Sequence, residues 1–254
     1  MKKFIIFIYG ILSYLMFLGV FIYAIGFIGN IKINNSLDSI PSLSLTHALM
    51  INLGLLSLFA LQHSGMARKG FKNWITKYIP EPAERSTYVL LSNIVMIVLF
   101  YFWQPMGGTI WSVESDFAKT SLMALFMFGW AIVLISTFLI NHFHLFGLQQ
   151  IWYQLLNKPI PPANFSQPSL YKSVRHPLYV GWIIVFWAAP TMTIAHMVFA
   201  LMSTAYILVA IQFEEKDLID EFGDEYRKYQ EDVPMIIPKI ISNSPAQKTT
   251  PDSI

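Results

Sequence analysis

Four charge-capable residues flank one long apolar stretch of this 254-residue chain. Arg175 and His176 precede the stretch, and Glu214 and Glu215 follow it. Two cationic donors and two carboxylates that face each other would suit a ligand with a carboxylate, an ammonium group and a sugar diol. The simpler alternative is that Arg175 and His176 only flank a membrane span and that both glutamates are solvated.

The apolar stretch between these pairs, residues 178–213, is too long for one membrane span. As a single helix it would rise about 50 Å, against a hydrocarbon core of roughly 30 Å. Residues 189–193 contain Pro190 between small and β-branched neighbours, which favours a helix break. The sequence therefore predicts a helical hairpin of two short spans, which would bring the charged pairs together at one face of the membrane.

The composition is typical of an integral membrane protein. Hydrophobic residues make up 55% of the chain and charged residues 13%, with a mean hydropathy of +0.51, whereas a soluble domain has about 25% charged residues. The absence of cysteine excludes disulfides, thiolate metal sites and a cysteine nucleophile. No HExxH-type histidine pair predicts a metal site, and the net charge of +2 does not indicate binding to nucleic acid.

Four further apolar segments, residues 4–28, 43–61, 88–103 and 122–140, predict membrane-spanning helices ahead of the hairpin. Of the 17 lysines and arginines, only Lys32 and Lys119 fall in loops that six spans place outside. This bias predicts that both termini are cytoplasmic, in a bacterial inner membrane. We therefore expect an all-α, polytopic helical bundle that forms one domain over residues 1–241, with a disordered polar tail over 242–254.

The segment after Glu215 predicts one more helix, amphipathic and cytoplasmic. Leu218, Phe222, Tyr226 and Tyr229 recur at three- and four-residue spacing, which places them on one helix face. Such a helix would lie beside the end of the hairpin. It would therefore be near the four charged residues.

The two charged motifs resemble those of the isoprenylcysteine carboxyl methyltransferase-like family of membrane methyltransferases. The matching pattern is RHPLYVG, an apolar hairpin, and then EE-x5-EFG-x2-Y-x2-Y-x3-VP-x3-P, all within residues 141–238. The resemblance implies a cytoplasmic S-adenosyl-L-methionine site beneath the C-terminal helix. Arg175 and Glu215 are also expected at this site, because their charges would suit the cofactor. The residues that the resemblance assigns to the cofactor are Tyr171, His176, Pro177, Leu178, Tyr179 and Glu214.

The rest of the chain indicates which methyl acceptor to expect. Residues 61–91, 103–111 and 140–152 are similar to segments of family members that methylate methanethiol, which implies S-methylation of a small thiol to dimethyl sulfide. Prenylcysteine-methylating members carry an arginine four residues before the matching Glu214, where this chain has Ala210. A prenylcysteine carboxylate would therefore lack its charged partner.

The sequence leaves open other methyl acceptors and other classes of protein. A prenylcysteine carboxylate, a phospholipid amine or a different thiol could use the same cofactor site. A transporter or a membrane assembly factor is the non-enzymatic alternative. A transporter usually shows internal repeats and polar residues at mid-membrane, and here the charges crowd one end of the spans instead.

Methylation of a thiol requires a base, because the thiolate is the nucleophile. His63, in a loop expected to close over the cofactor, is the first candidate, and His142, just past the fourth span, is another. Arg85 completes the candidate catalytic set, although it could instead pair with Glu84. The expected partners are a small thiol and membrane lipids, which the basic run from Arg68 would contact, with no obligate protein partner.

Overall fold

The computed structural model describes residues 1–33, 35–162 and 165–238, so the predicted tail over 242–254 lies outside the described residues. Short 3-10 helices cover Glu81–Ala83 and Ser169–Lys172. Two short strands are β1 (Thr109–Ser112) and β2 (Thr191–Thr193). The α-helices of the described ranges are α1 (Lys2–Gly29), α2 (Leu45–Ala67), α3 (Lys69–Ile75), α4 (Glu84–Phe102), α5 (Asp116–Ile140), α6 (His142–Leu145), α7 (Leu148–Leu155), α8 (Pro177–Trp187), α9 (Ile194–Phe222) and α10 (Asp224–Asp232).

Five helices of the described chain are long and apolar enough to cross a membrane: α1, α2, α4 with its preceding 3-10 turn, α5 and α9. The predicted all-α membrane bundle is confirmed. The predicted end of the second span is wrong, because α2 runs on from residue 61 to Ala67. His63 therefore belongs to a helix, and its expected place in a closing loop is wrong as well.

The hairpin predicted for residues 178–213 is confirmed, but its two arms are unequal. The first arm, α8, has 11 residues and begins at Pro177, where a missing N–H costs nothing. The second arm, α9, has 29 residues, so the prediction of two short spans is wrong. A helix of that length rises about 43 Å and exceeds the hydrocarbon core, so one end of α9 projects past it.

The turn of the hairpin is tied to the rest of the protein by a pair of strands that the sequence did not predict. β2 follows Pro190 and pairs antiparallel with β1, with Thr109 opposite Thr193 and Ser112 opposite Thr191. The chain reaches β1 through Gly107, whose φ of 63° suits glycine. Together the strands close the end of the bundle that lies away from the charged motifs.

The predicted single amphipathic helix after Glu215 is also wrong. The spanning helix α9 continues to Phe222, and the chain then breaks at Gly223, whose φ is 60°, before α10 begins. The apolar positions still meet, because Tyr226 and Tyr229 of α10 pack with Leu218, Phe222 and Phe165. The break folds α10 back towards the start of α8.

Close packing between α5 and α8 fixes the position of the hairpin. A Cβ atom at Gly181 would lie 2.8 Å from the carbonyl oxygen of Gly129, and one at Gly129 would lie 3.0 Å from that of Gly181. Small residues of this kind let two backbones touch inside a membrane. On the other side of the bundle, α4 packs against both α1 and α2.

Candidate active site

The hairpin brings the two charged motifs together, and the centre of the cluster is an ion pair between Arg175 and Glu215. Arg175 Nε lies 2.7 Å from Glu215 Oε1, and the side chains are only 11% and 10% exposed. His176 Nε2 lies 3.0 Å from the same oxygen, and Gln230 Nε2 donates to Oε2 at 2.8 Å. Both oxygens of Glu215 are therefore bonded inside the protein.

The same arginine fastens the C-terminal segment to the start of α8. Arg175 donates from its guanidinium to the carbonyl oxygens of Gln230 at 3.0 Å and Val233 at 2.6 Å. Its backbone N–H donates to Pro234, and that of His176 donates to Met235. These bonds hold the segment after α10 in place and leave Arg175 committed to the protein itself.

Glu214, the neighbouring carboxylate, is in a different situation. Its side chain is 44% exposed. The hydroxyl of Tyr179 donates to Glu214 Oε2 at 2.8 Å, while Oε1 has no hydrogen-bond partner within the described chain. His176 Nδ1 lies 3.8 Å from Oε2. Glu214 is thus the carboxylate of this cluster that can still accept hydrogen bonds from a ligand.

The remaining predicted cofactor residues lie at the start of α8 or just before it. Tyr171 lies in the 3-10 helix before α8, and its backbone carbonyl accepts a hydrogen bond from Tyr229. Burial and then the nearby charge of Glu214 raise the pKa of Tyr171, so its hydroxyl remains a donor at neutral pH. Pro177 is buried and Leu178 is half-buried at the first turn of α8.

His63, the first candidate base, is paired with a residue that the sequence did not single out. The hydroxyl oxygen of Tyr88 lies 2.8 Å from His63 Nε2 and 3.1 Å from Nδ1. Ser92 Oγ is 3.4 Å from Nδ1, and the ring of Phe59 stacks on the imidazole at 5.0 Å. The pair joins α2 to α4, which explains why no local sequence pattern revealed it.

Arg85, the predicted third member of the catalytic set, lies next to this pair. Its Nε donates to the carbonyl oxygen of Leu145 at 2.7 Å, and its guanidinium carbon lies 4.8 Å from the centre of the Tyr88 ring. The alternative pairing with Glu84 is not among the ion pairs of the described residues. Arg85 therefore places a positive charge over Tyr88.

His142, the other candidate base, is enclosed elsewhere. Tyr14 Oη lies 2.8 Å from His142 Nε2, and Thr137 Oγ1 lies 2.8 Å from Nδ1. The ring of Phe138 stacks on the imidazole at 4.2 Å, and burial lowers the pKa of His142. Both ring nitrogens are occupied by groups of α1 and α5, so the structure does not bring His142 into contact with the His63 pair.

The N-terminal and C-terminal motifs meet through tyrosines. Tyr179 of α8 donates its hydroxyl to Glu214 of α9 at 2.8 Å, and Tyr206 precedes Glu214 by eight residues on the same helix. Tyr206 of α9 in turn lies 2.9 Å from Ser64 Oγ of α2. The sequence reasoning missed Tyr88, Tyr206 and Gln230, and the one available signal was a tyrosine inside an otherwise apolar span.

Two cavities lie away from this cluster. One of about 390 Å³ is bounded by α1, α6 and α7 and is lined by Phe7, Asn141 and Trp152, among others. Another of about 170 Å³ lies near the hairpin turn, beside Asn30 and His196. The arrangement of donors and acceptors around Glu214, rather than a cavity, marks the candidate site.

Comparison with known proteins decides the family. The chain is 53% identical over 233 residues to the methanethiol S-methyltransferase of Crocosphaera subtropica, covering 92% of this chain and 91% of that one. It is 47% identical over 238 residues to the methanethiol S-methyltransferase of Mycobacterium tuberculosis, covering 94% and 98%. The chain belongs to the methanethiol S-methyltransferase family.

Membership of the methanethiol S-methyltransferase family confirms the resemblance drawn from residues 61–91 and 140–152 and makes the protein a methyltransferase. The chain is also 27% identical to nurim of Bos taurus over 190 residues, 72% of each protein. No family model matches the chain. No solved structure matches it either.

Proposed function

We propose that this protein transfers a methyl group from S-adenosyl-L-methionine to methanethiol and releases dimethyl sulfide. The observation that carries the proposal is 53% identity, over 92% of the chain, to a protein named for methanethiol methylation. The cluster around Glu214 supports it, because α9, which carries Glu214, is also joined to the N-terminal half through the contact of Tyr206 with Ser64 of α2.

The residues around Glu214 fit this cofactor. Glu214 Oε1 is available to accept from a ribose diol or an ammonium group, and Glu214 is only half-buried. The hydroxyl of Tyr171 is a donor that the pKa shift keeps protonated. Gln62 Oε1 is buried without a hydrogen-bond partner among the described residues, beside His63. Such a buried acceptor is free to take a hydrogen bond from a water molecule or from a ligand.

The environment favours the chemistry of the reaction. When bound, the sulfonium cofactor supplies an electrophilic methyl group. A thiolate and a sulfonium neutralise each other as the methyl moves, so a site of low dielectric constant does not oppose the charge change. The chain's own residues have to exclude water, hold the acceptor in line and remove the thiol proton. His63, whose imidazole lies against the hydroxyl of Tyr88, is the group that we propose for removal of the thiol proton.

Ala210 supports a small, uncharged acceptor. Tyr206, Ala210 and Glu214 follow each other at four-residue spacing on α9, so they share one face of that helix. The side chain between the two polar groups is therefore a single methyl group. An acceptor of that size and polarity fits beside it, and Ala210 itself offers a carboxylate no charged partner.

We also propose how the protein is oriented in the membrane and which residues contact lipid headgroups. We place both termini in the cytoplasm of a bacterial inner membrane, which the uneven distribution of lysine and arginine supports. Lys69 of α3 and the nearby Lys77 are exposed beside Trp74, which is 50% exposed, a combination that suits anionic headgroups. Because the chain has no cysteine, single cysteines at Lys32 and Lys158 would report the side of each loop by labelling.

The function is tested with the purified, detergent-solubilised protein. It is given S-adenosyl-L-methionine and either methanethiol or a prenylcysteine analogue, and products are followed by gas chromatography and mass spectrometry. We expect dimethyl sulfide from the first acceptor and no methyl ester from the second. Turnover of the prenylcysteine without dimethyl sulfide would overturn the proposed acceptor and leave the methyltransferase family membership intact.

A further inference from the structure

The carboxylate of the cofactor still lacks a charged partner in the cluster around Glu214. Arg175, which the sequence predicts at this site, is only 11% exposed. It is bonded to Glu215 and to two backbone carbonyl oxygens of the C-terminal segment. If Glu214 Oε1 accepts from the ammonium group, the carboxylate must lie close by, because both groups are attached to one carbon atom of the cofactor. A cation that can still donate is therefore needed near Glu214.

Arg68, which follows α2, lies against the turn of α9 that carries Glu214. Its Nη1 lies 2.9 Å from Asp217 Oδ2, and its guanidinium carbon lies 5.6 Å from the centre of the Phe213 ring. Asp217 is three residues beyond Glu214 on α9, and side chains at that spacing are neighbours on a helix surface. The side chain of Arg68 is 38% exposed, so a ligand can reach it.

The directions of three acidic side chains place this arginine on one side of the candidate site. Successive side chains of a helix point about 100° apart, so Glu215 lies about 100° to one side of Glu214 and Asp217 about 60° to the other. Glu215 meets Arg175 at the start of α8. Asp217 meets Arg68 beside α2. A ligand held by Glu214 would therefore lie between α2 and the start of α8, with Arg68 on its α2 side.

The guanidinium of Arg68 has donors to spare. Its Nε donates to the carbonyl oxygen of Ser64 at 3.3 Å, and its Nη1 pairs with Asp217. Nη2 has no partner among the residues that the structure describes. A guanidinium carries five N–H donors and binds carboxylates through two of them at once. The ion pair with Asp217 thus directs Arg68 towards α9 without using all of its donors.

From this arrangement we infer that Arg68 binds the carboxylate of S-adenosyl-L-methionine while Glu214 binds its ammonium group, an inference that rests on the proposed function. The two charged groups on one carbon atom of the cofactor then each meet an opposite charge. Arg68 is thereby set apart from the basic run that it begins. Lys69 and Lys77 of that run are exposed and remain the proposed lipid contacts.

The assignment is tested with S-adenosylhomocysteine and its decarboxylated analogue, an aminopropyl thioether of adenosine that differs from it only in lacking the carboxylate. Calorimetry on the purified, detergent-solubilised protein measures the affinity for each ligand. For Arg68→Met we expect the affinity for S-adenosylhomocysteine to fall about ten- to a hundred-fold, as for loss of one charge-assisted contact. The affinity for the analogue should stay near the wild-type value.

Two further variants separate ligand binding from a structural role of the ion pair. Asp217→Asn removes a negative charge beside the bound carboxylate, so the preference for S-adenosylhomocysteine over the analogue should rise. The rise should reach at most about five-fold, the effect of one unit charge at about 4 Å in water. This opposite change keeps the test valid if Arg68→Met fails to fold. Lys69→Met removes the adjacent, exposed cation and should keep both affinities.

The outcomes that overturn the assignment are distinct from failure of the proposed function. An equal loss of affinity for both ligands in Arg68→Met would give Arg68 a structural role and remove the assignment alone. Wild-type affinity for both ligands in that variant, or a preference that does not rise in Asp217→Asn, would also remove it alone. A wild-type protein that binds neither ligand and forms no dimethyl sulfide would overturn the proposed function, and the assignment with it.

Discussion

Two buried histidine–carboxylate pairs lie at opposite ends of the bundle, and they differ in what surrounds them. At the motif end His176 Nε2 lies 3.0 Å from Glu215. At the strand end His196 Nδ1 lies 3.2 Å from Asp38, and His196 Nε2 lies 3.1 Å from the carbonyl oxygen of Phe186. Both pairs are almost completely buried, with the histidine side chains 5% and 2% exposed.

The difference is the presence of a second carboxylate. Asp38 accepts from Thr193 and Asn30 as well as His196, so its oxygens are fully used within the protein. The motif end has Glu214 next to the closed pair, half-exposed and with one oxygen available. A buried ion pair alone therefore indicates structure, and the additional, partly unsatisfied carboxylate indicates a binding site.

The largest effect is expected from Glu215→Ala. This change leaves Arg175 buried without its charged partner, which typically costs about 3–5 kcal/mol. The melting temperature of the detergent-solubilised protein, followed by tryptophan fluorescence, should drop steeply even without cofactor. An unchanged melting temperature would show that the motif end is not held together by this pair, and the comparison with the strand end would fail.

Glu214→Ala should act on binding and leave stability nearly unchanged. Loss of one charge-assisted contact costs about 1.5–3 kcal/mol, or roughly ten- to more than a hundred-fold in affinity. Calorimetry measures the affinity of the variant for S-adenosylhomocysteine. The matched control is Asp220→Asn, because Asp220 is an exposed carboxylate on the same helix. Wild-type affinity in Glu214→Ala would make this carboxylate an ordinary solvated residue.

Asp38→Asn should show the reverse behaviour, with a loss of about 1 kcal/mol in stability and no change in cofactor affinity. Burial alone would raise the pKa of Asp38, but hydrogen bonds and charge from His196, helped by Thr193 and Asn30, hold it below its usual value. A lowered pKa means stability that is present at neutral pH and is lost as the pH falls through that lowered pKa. Melting temperatures measured from neutral to acid pH should fall more steeply in wild type than in Asp38→Asn, and parallel curves would refute the assignment.

The smallest effect is expected from the ion pair between α2 and α9. Arg68 lies 2.9 Å from Asp217, and the side chains are 38% and 40% exposed. Solvent screening limits such a pair to less than about 1 kcal/mol. Asp217→Asn should therefore change the melting temperature very little, while a loss as large as that of Glu215→Ala would show that exposure is a poor guide in this protein.

The sequence correctly predicted the features that depend on hydropathy and chain length. The helical bundle follows from several apolar segments of about the length of a membrane span. The hairpin follows from the apolar stretch over residues 178–213, which is too long for a single span, and it brings Arg175 to Glu215. The roles of individual residues were harder to predict from the sequence. His142 was the next candidate base after His63, and only the structure shows that Tyr14 and Thr137 enclose its ring nitrogens away from the His63 pair.

What the sequence determined by itself was therefore the membrane fold, the doubling back of the last spans and the family. What only the tertiary structure decided was which of two adjacent glutamates is buried and which residue accompanies His63. Glu214 and Glu215 are neighbours in sequence, but successive side chains of a helix point about 100° apart, so packing around α9 buries one and leaves the other half-exposed. Tyr88 and His63 are separated along the chain and meet because α2 and α4 pack together, and no local pattern encodes that contact.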